Sequence, residues 1–181
     1  MPWHAGSLLV ASPALYDPNF RRSIVLLTEH SDEAAMGLVL SRPSPVSVVD
    51  AAPALASLVE PDAVVYAGGP VQPEAVLVLA EFEDPDASAG LIVGDVGFVR
   101  ADADPALAAA AVRRARVFAG YAGWSGGQLE AELQEPSWLV VPALTTDVFE
   151  PDPDALWRTV LRRQGRRYVL LASMPPDPSL N

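Results

Sequence analysis

Apolar residues fall along this chain in short runs rather than in long helical stripes. Residues 7–11, 24–28, 37–40, 63–67, 76–80 and 138–141 are each rich in Val, Leu and Ile and are bounded by Pro, Gly, Asp or Ser. That pattern predicts strands. Most runs are continuously apolar, which predicts strands buried on both faces with further layers covering the sheet. A seventh strand is predicted over 116–121, and residues 81–89 read as an acidic loop.

Helical signals are fewer. Residues 153–164 have Asp152 as N-cap, Pro153 at the first position, Gly165 after the end, and Leu156, Val160 and Leu161 as an apolar stripe widened by Trp157. A second helix is predicted from Pro105 to about Arg114, capped by Asp104 and carried by alanines. A shorter one follows Ser47 and ends at Pro53. The fourth is predicted from Ser125 as N-cap. Gln128 then completes a capping box, Trp124 and Leu129 form a hydrophobic staple, and Leu129 and Leu133 share the buried face. Strands and helices do not alternate regularly and no repeat is present. The expectation is a mixed α+β domain over 1–174, with about four helices around the strands and a mobile tail at 175–181.

Composition narrows the chemistry. The 181 residues include 50% hydrophobic and 19% charged, enough to exclude a disordered chain. There is no cysteine, so disulfides, thiolate metal sites and a cysteine nucleophile are excluded. All 12 basic residues are arginine, so lysine chemistry is excluded too. The net charge of −11 argues against nucleic acid and anionic membranes as partners. No apolar run reaches the ~18 residues of a spanning helix, and the start, Met1-Pro2-Trp3-His4, lacks the positive region of a signal peptide. A cytoplasmic location is expected.

Several constellations carry candidate chemistry. Gly123-Trp124-Ser125-Gly126-Gly127 matches the G-x-S-x-G nucleophile elbow, but no histidine follows Ser125; the only histidines are His4 and His30. Ser125 reads better as an N-cap, with a convergent Ser125–His30 arrangement as the alternative. Gly126 and Gly127 point either to tight packing or to close approach of an anionic ligand at a helix start. His30 lies among Glu29, Asp32 and Glu33; no other segment supplies partners for a metal, and a structural or acid–base histidine is expected. Arg21 and Arg22 are placed to pair back to Asp17, and Arg42-Pro43 closes a strand. Arg158, Arg162, Arg163, Arg166 and Arg167 form a basic cluster that suits a helix C-terminus and lacks a nucleic-acid reading pattern. Gly68-Gly69-Pro70 reads as a tight turn.

With these motifs in place, the chain resembles the bacterial YqgE/AlgH family. The likeness is carried by residues 6–43, by Gly68-Gly69-Pro70-Val71, by GYAGWSGGQLEAEL at 120–133, and by Trp138, Ala143 and Leu156-Trp157. The family's recurring positions map onto Asp17, Arg21, His30, Gly37, Arg42, Pro43, Gly69, Pro70, Gly120, Tyr121, Trp124, Gln128 and Glu130. Ser41 departs from a common Asn, and Leu79-Ala80 from a common Leu-His, so a second family histidine is missing. The resemblance implies a single α+β domain with mixed or antiparallel strands in more than one sheet. It implies a bacterial cytoplasmic protein without established catalysis; the residues add the expectation of a binding or regulatory protein with no cofactor and no metal. The AlgH name adds a suggestion of transcriptional regulation.

The resulting expectation is a small anionic ligand, or else a protein partner, held where His30 and Arg42 meet the 120–128 segment. Tyr121 and Trp124 would wall the site and Gln128 would stand at the helix start. A hydrolase using Ser125 or His30 is the alternative, and a DNA-binding regulator the second. The pattern selects no oligomeric state.

Overall fold

A computed structural model describes residues 3–12, 15 and 20–173, the side chains of Arg167 and Leu171 excepted. The expected tail at 175–181 and the pairing expected of Asp17 lie outside the described residues. Among the described residues, ten strands form one continuous sheet: β1 (Ser7–Ala11), β2 (Ile24–His30), β3 (Ala34–Val39), β4 (Pro43–Ser47), β5 (Val64–Ala67), β6 (Val71–Phe82), β7 (Ser88–Val93), β8 (Val96–Val99), β9 (Val112–Ser125) and β10 (Trp138–Pro142). Six short α-helices accompany them among the described residues: α1 (Val48–Ala51), α2 (Pro105–Ala108), α3 (Gln128–Gln134), α4 (Thr145–Val148), α5 (Pro153–Arg163) and α6 (Arg166–Ala172). The domain is mixed α+β with strands dominant.

The main path runs β10-β1-β2-β3-β9-β6-β8-β7 and is antiparallel throughout. The 14-residue β9 joins its two halves. Along one edge β9 pairs with β6 from Val112 to Tyr121; along the other it meets β5 in parallel at Phe118 and Ala119, then β3 from Ala122 to Ser125. The strands thus belong to one sheet, not to several, because this single strand is long enough to serve both halves. The sheet also curls. A Cβ on Gly6, which leads into β1, would lie 2.7 Å from the carbonyl oxygen of Ile92 on β7, near the other end of the strand order.

The continuously apolar strands are buried on both faces. Leu8, Val10, Ile24 and Leu26 point to one core, where they pack with Val148, Leu156, Trp157, Val160 and Leu161 from α4 and α5. Their sequence neighbours Leu9, Ala11, Val25 and Leu27 point to a second core with Trp124, Leu129 and Trp138. Each fully buried aliphatic side chain contributes about 2 kcal/mol. A third cluster of Val48, Leu58, Val65, Val78 and Val117 is roofed by α1, α2 and the 3-10 turn at Pro53–Leu58.

Helix starts follow the capping chemistry where tertiary pairing does not interfere. The Asp152 side chain accepts N–H groups of Asp154 and Ala155 at 2.9 and 3.2 Å, and Gly165 takes φ +94° after the end of α5. Ser47 caps α1, which stops before Pro53. The helix expected to reach Arg114 stops at Ala108, although Asp104 caps it as expected. A 3-10 turn follows, and Val112 is already in β9, because pairing with β6 overrides the alanines' helical preference. The acidic loop is likewise mostly ordered structure. Glu81 ends inside β6, buried between Arg113 and Arg114 at 3.0 and 2.6 Å, and Ser88 starts β7. Strands β4, β7 and β8 and helices α4 and α6 carried no clear sequence signal; two prolines mask β4.

At one crossing, backbone passes directly over backbone. Gly68 and Gly69 follow β5 and pack on Gly120 and Tyr121 of β9. A Cβ on Gly69 would fall onto the backbone of Tyr121 and Ala122, which cannot move aside without breaking the sheet. We predict that Gly69→Ala destabilises the fold by about 3 kcal/mol or more in urea unfolding. Gly90→Ala, where an added Cβ meets nothing within 4 Å, should shift stability by less than about 0.5 kcal/mol.

Candidate functional site

The β2–β3 hairpin and the β9–α3 junction build the face that holds His30. Ala34 and Ala35 of β3 pair with Ser125 and Trp124 of β9, while Ala35 also pairs with His30. The chain must then turn sharply to lay α3 back over the hairpin. Gly126 and Gly127 make that turn. A Cβ on Gly126 would lie 2.7 Å from the Asp32 carbonyl oxygen, and Gly127 has φ +77°. Tight packing and a left-handed residue account for the two glycines. Gly127, not Ser125, is the N-cap; Ser125 remains in β9. Half of the expected capping box survives, since Gln128 Oε1 accepts the Ser125 backbone N–H at 3.2 Å. Leu129 and Leu133 face the core as expected.

His30 is enclosed, its side chain only 2% exposed. Its Nδ1 accepts the backbone N–H of His4 at 3.1 Å. The neutral ring therefore carries its proton on Nε2, which donates to Glu130 Oε1 at 2.8 Å. Trp3 meets the ring edge-on at 5.2 Å and His4 stacks on it at 5.6 Å. Glu130 sits in the first turn of α3. Its own backbone N–H, first, and the His30 bond, second, hold its carboxyl below the ordinary 4.5. The negative charge that a helix start attracts is thus supplied by the chain itself.

A second carboxylate lies two residues further along α3. Glu132 Oε2 accepts the indole N–H groups of Trp124 and Trp138 at 3.0 and 2.9 Å, and Oε1 accepts the Gln128 amide at 3.1 Å. The two indoles pack on each other and on Phe20, with centroids 5.7 to 6.4 Å apart. This cluster is filled by its own rings.

Of the expected site residues, His30, Trp124 and Gln128 do come together around α3. Tyr121 does not join them: it packs with the core on the opposite side of the sheet from Trp124, as three strand steps require. Arg42 does not join them either. It lies beyond the far end of β3, where it donates to the Arg21 carbonyl at 2.9 Å. The strand from Ala35 to Val39 alone is about 13 Å long at ~3.3 Å per residue. The Ser125 hydroxyl is bonded to Gln128 Oε1 at 3.3 Å. Glu130, Glu132 and Trp138 were not among the expected site residues, although the resemblance marks Glu130 and Trp138; with Ser125 as N-cap, Glu130 fell beyond the first helical turn. Arg163 leaves the basic cluster by turning inward to buried Asp147, with bonds of 2.9 and 2.7 Å. Arg22, expected to face Asp17, lies 3.8 Å from Asp154 and over the Trp157 ring. Among the described residues, no group of three or more His, Asp or Glu is placed to hold a metal, and no helix is long and apolar enough to cross a membrane.

Two predictions follow from the carboxylates. Glu132→Ala strips the acceptor from two buried indoles and should cost about 2 kcal/mol or more, read by denaturant unfolding on tryptophan fluorescence. For Glu130 the folded carboxyl titrates below its ordinary 4.5, so its stabilisation is present above that pH and is lost as pH falls through the lowered value. Glu130→Gln should therefore flatten that part of the stability–pH curve.

The AlgH-like family model matches residues 8–169 of the chain. A UPF0301 protein of Streptomyces avermitilis is 46% identical over 182 residues, spanning 97% of this chain and 94% of its own length. One from Mycobacterium tuberculosis is 42% identical over 182 residues, spanning 98% and 90%. Among solved structures, a crystal structure of a Corynebacterium diphtheriae protein is similar at TM-score 0.87 and 32% identity, over 96% of this chain and 93% of that one. The solution structure of AlgH from Pseudomonas aeruginosa is similar at TM-score 0.73 and 30% identity, over 96% and 95%. The match runs nearly the whole length of the chain, as the motif blocks do: this protein belongs to the AlgH-like family.

Proposed function

We propose that this is a cytoplasmic binding or regulatory protein that works by presenting a surface, not by hydrolysis. The observation that carries the reading is the state of His30: both ring nitrogens are engaged and the ring is closed off from solvent. A general base needs a free nitrogen within reach of the proton it removes. Ser125 thus has no activating partner in His30, and its hydroxyl is already bonded to Gln128. The His30–Glu130 pair ties the hairpin to α3 and shapes the face around Trp3, which is 50% exposed.

A small anionic ligand at this turn is the narrower form of the reading. It would have to displace the Glu130 carboxylate and would do so without Arg42, so a partner protein fits the face better. Transcriptional regulation by direct DNA contact is disfavoured by the −11 charge and by the inward turn of Arg163. The test is exposure of the folded protein to a fluorophosphonate probe followed by intact mass measurement. No adduct is expected. An adduct that disappears in Ser125→Ala would overturn the proposal and restore the hydrolase.

A further inference from the structure

We propose that His30 is a proton-operated latch that holds the N-terminal segment in place at neutral pH and lets it go on acidification. The geometry makes the latch one-way. The backbone N–H of His4 points at Nδ1, and the carboxylate of Glu130 points at Nε2. Only the neutral Nε2–H tautomer satisfies both neighbours. A second proton can enter only at Nδ1. Once there, it faces the His4 N–H donor to donor, and that hydrogen bond must break. The bond to Glu130 changes in the other direction, since an imidazolium donates to a carboxylate more strongly than a neutral ring does. Protonation therefore loosens the side of the ring that holds the N-terminal segment and tightens the side that holds α3.

The groups facing the ring act in the same sense. From the N-terminal segment come Trp3, uncharged, and His4, stacked at 5.6 Å. From α3 comes Glu130, and from β3 comes Ala35. On the ring's own hairpin, Glu29, Asp32 and Glu33 are exposed. Burial, and then the neighbouring His30, hold His4 below its ordinary 6.5. The sign follows: docking of His4 is fully supported above 6.5 and weakens as pH falls through the lowered value, because the undocked ring binds protons more readily. Gly6, at φ +78°, lies in a turn closed by the Ser7 N–H on the His4 carbonyl at 3.0 Å, so what is released is the His4 N–H and ring together with Trp3. The Gly6 N–H donates to the Leu27 carbonyl at 2.9 Å, a bond that no titrating group touches, so β1 stays in the sheet when the segment leaves.

The test is nitrogen-15 NMR of the full chain across a pH titration, following the histidine ring nitrogens and the exchange of the His4 amide. At neutral pH His30 should show a protonated Nε2 and a bare Nδ1. As Nδ1 gains its proton, the protection factor of the His4 amide, taken against its intrinsic exchange rate at each pH, should fall roughly tenfold, the scale of one lost hydrogen bond, while the Gly6 amide stays protected. His4→Ala keeps the backbone N–H but removes the stacked ring, and should release with the His30 midpoint. An Nδ1–H tautomer at neutral pH would overturn the proposal. So would a His4 amide that stays protected while His30 takes its second proton, or a release that vanishes in His4→Ala.

Discussion

The hydrogen-bonding capacity of one strand sets the plan of this molecule. β9 has two edges, and it uses them unequally along its 14 residues: β6 occupies one edge of its first ten, while β5 and then β3 share the other edge of its second half. β5 and β6 lie on opposite edges of β9, so the link between them crosses its backbone, and it does so at Gly68, Gly69 and Gly120. Everything near His30 inherits its position from that arrangement. Where β9 leaves β6 and pairs with β3, its next turn can only fold over the β2–β3 hairpin. That places the first turn of α3 against the end of β2.

This face illustrates how an apparent active site is emptied of chemistry. A histidine, a carboxylate, a serine in a G-x-S-x-G frame and a tryptophan pair all converge within one helical turn. Each polar group is nevertheless spent on another: His30 on His4 and Glu130, Ser125 on Gln128, both indoles on Glu132. Buried polar networks that are fully satisfied rigidify a surface, whereas catalytic groups keep at least one valence open for the substrate. At neutral pH the arrangement suits a protein whose face keeps its shape.

Much of the fold was legible from the chain, for identifiable reasons. Continuous apolar runs such as 7–11 and 24–28 announce strands covered on both sides, and the two-core packing of Leu8 against Leu9 is the structural form of that pattern. Asp152 and Gly165 mark the ends of α5 by chemistry local to the helix. The sequence reading erred where a long-range partner decides the outcome. The alanines after Pro105 favour helix locally, yet Glu81 on β6 draws Arg113 and Arg114 into a strand. Ser125 is a better cap than Gly127 in isolation, but pairing with Ala34 keeps it extended. His30 does lie beside the Gln128 turn, bonded to Glu130 of the same helix. Arg42 and Tyr121 were not separable from them by eye, since only the length of β3 and the alternation of β9 show that they point elsewhere.

The position of β1 has a consequence for how the chain is made. β1 leaves the ribosome well before β10, yet it lies between β2 and β10, and β10 ends only at Pro142. The β1–β2–β3 meander can close by hairpins alone, yet its two outer edges wait for β9 and β10. Until those arrive, strands apolar on both faces stand with their edges open, the state most exposed to wrong pairing. The order of synthesis therefore runs against the order of the sheet, and the sheet is completed only after β10 has been made.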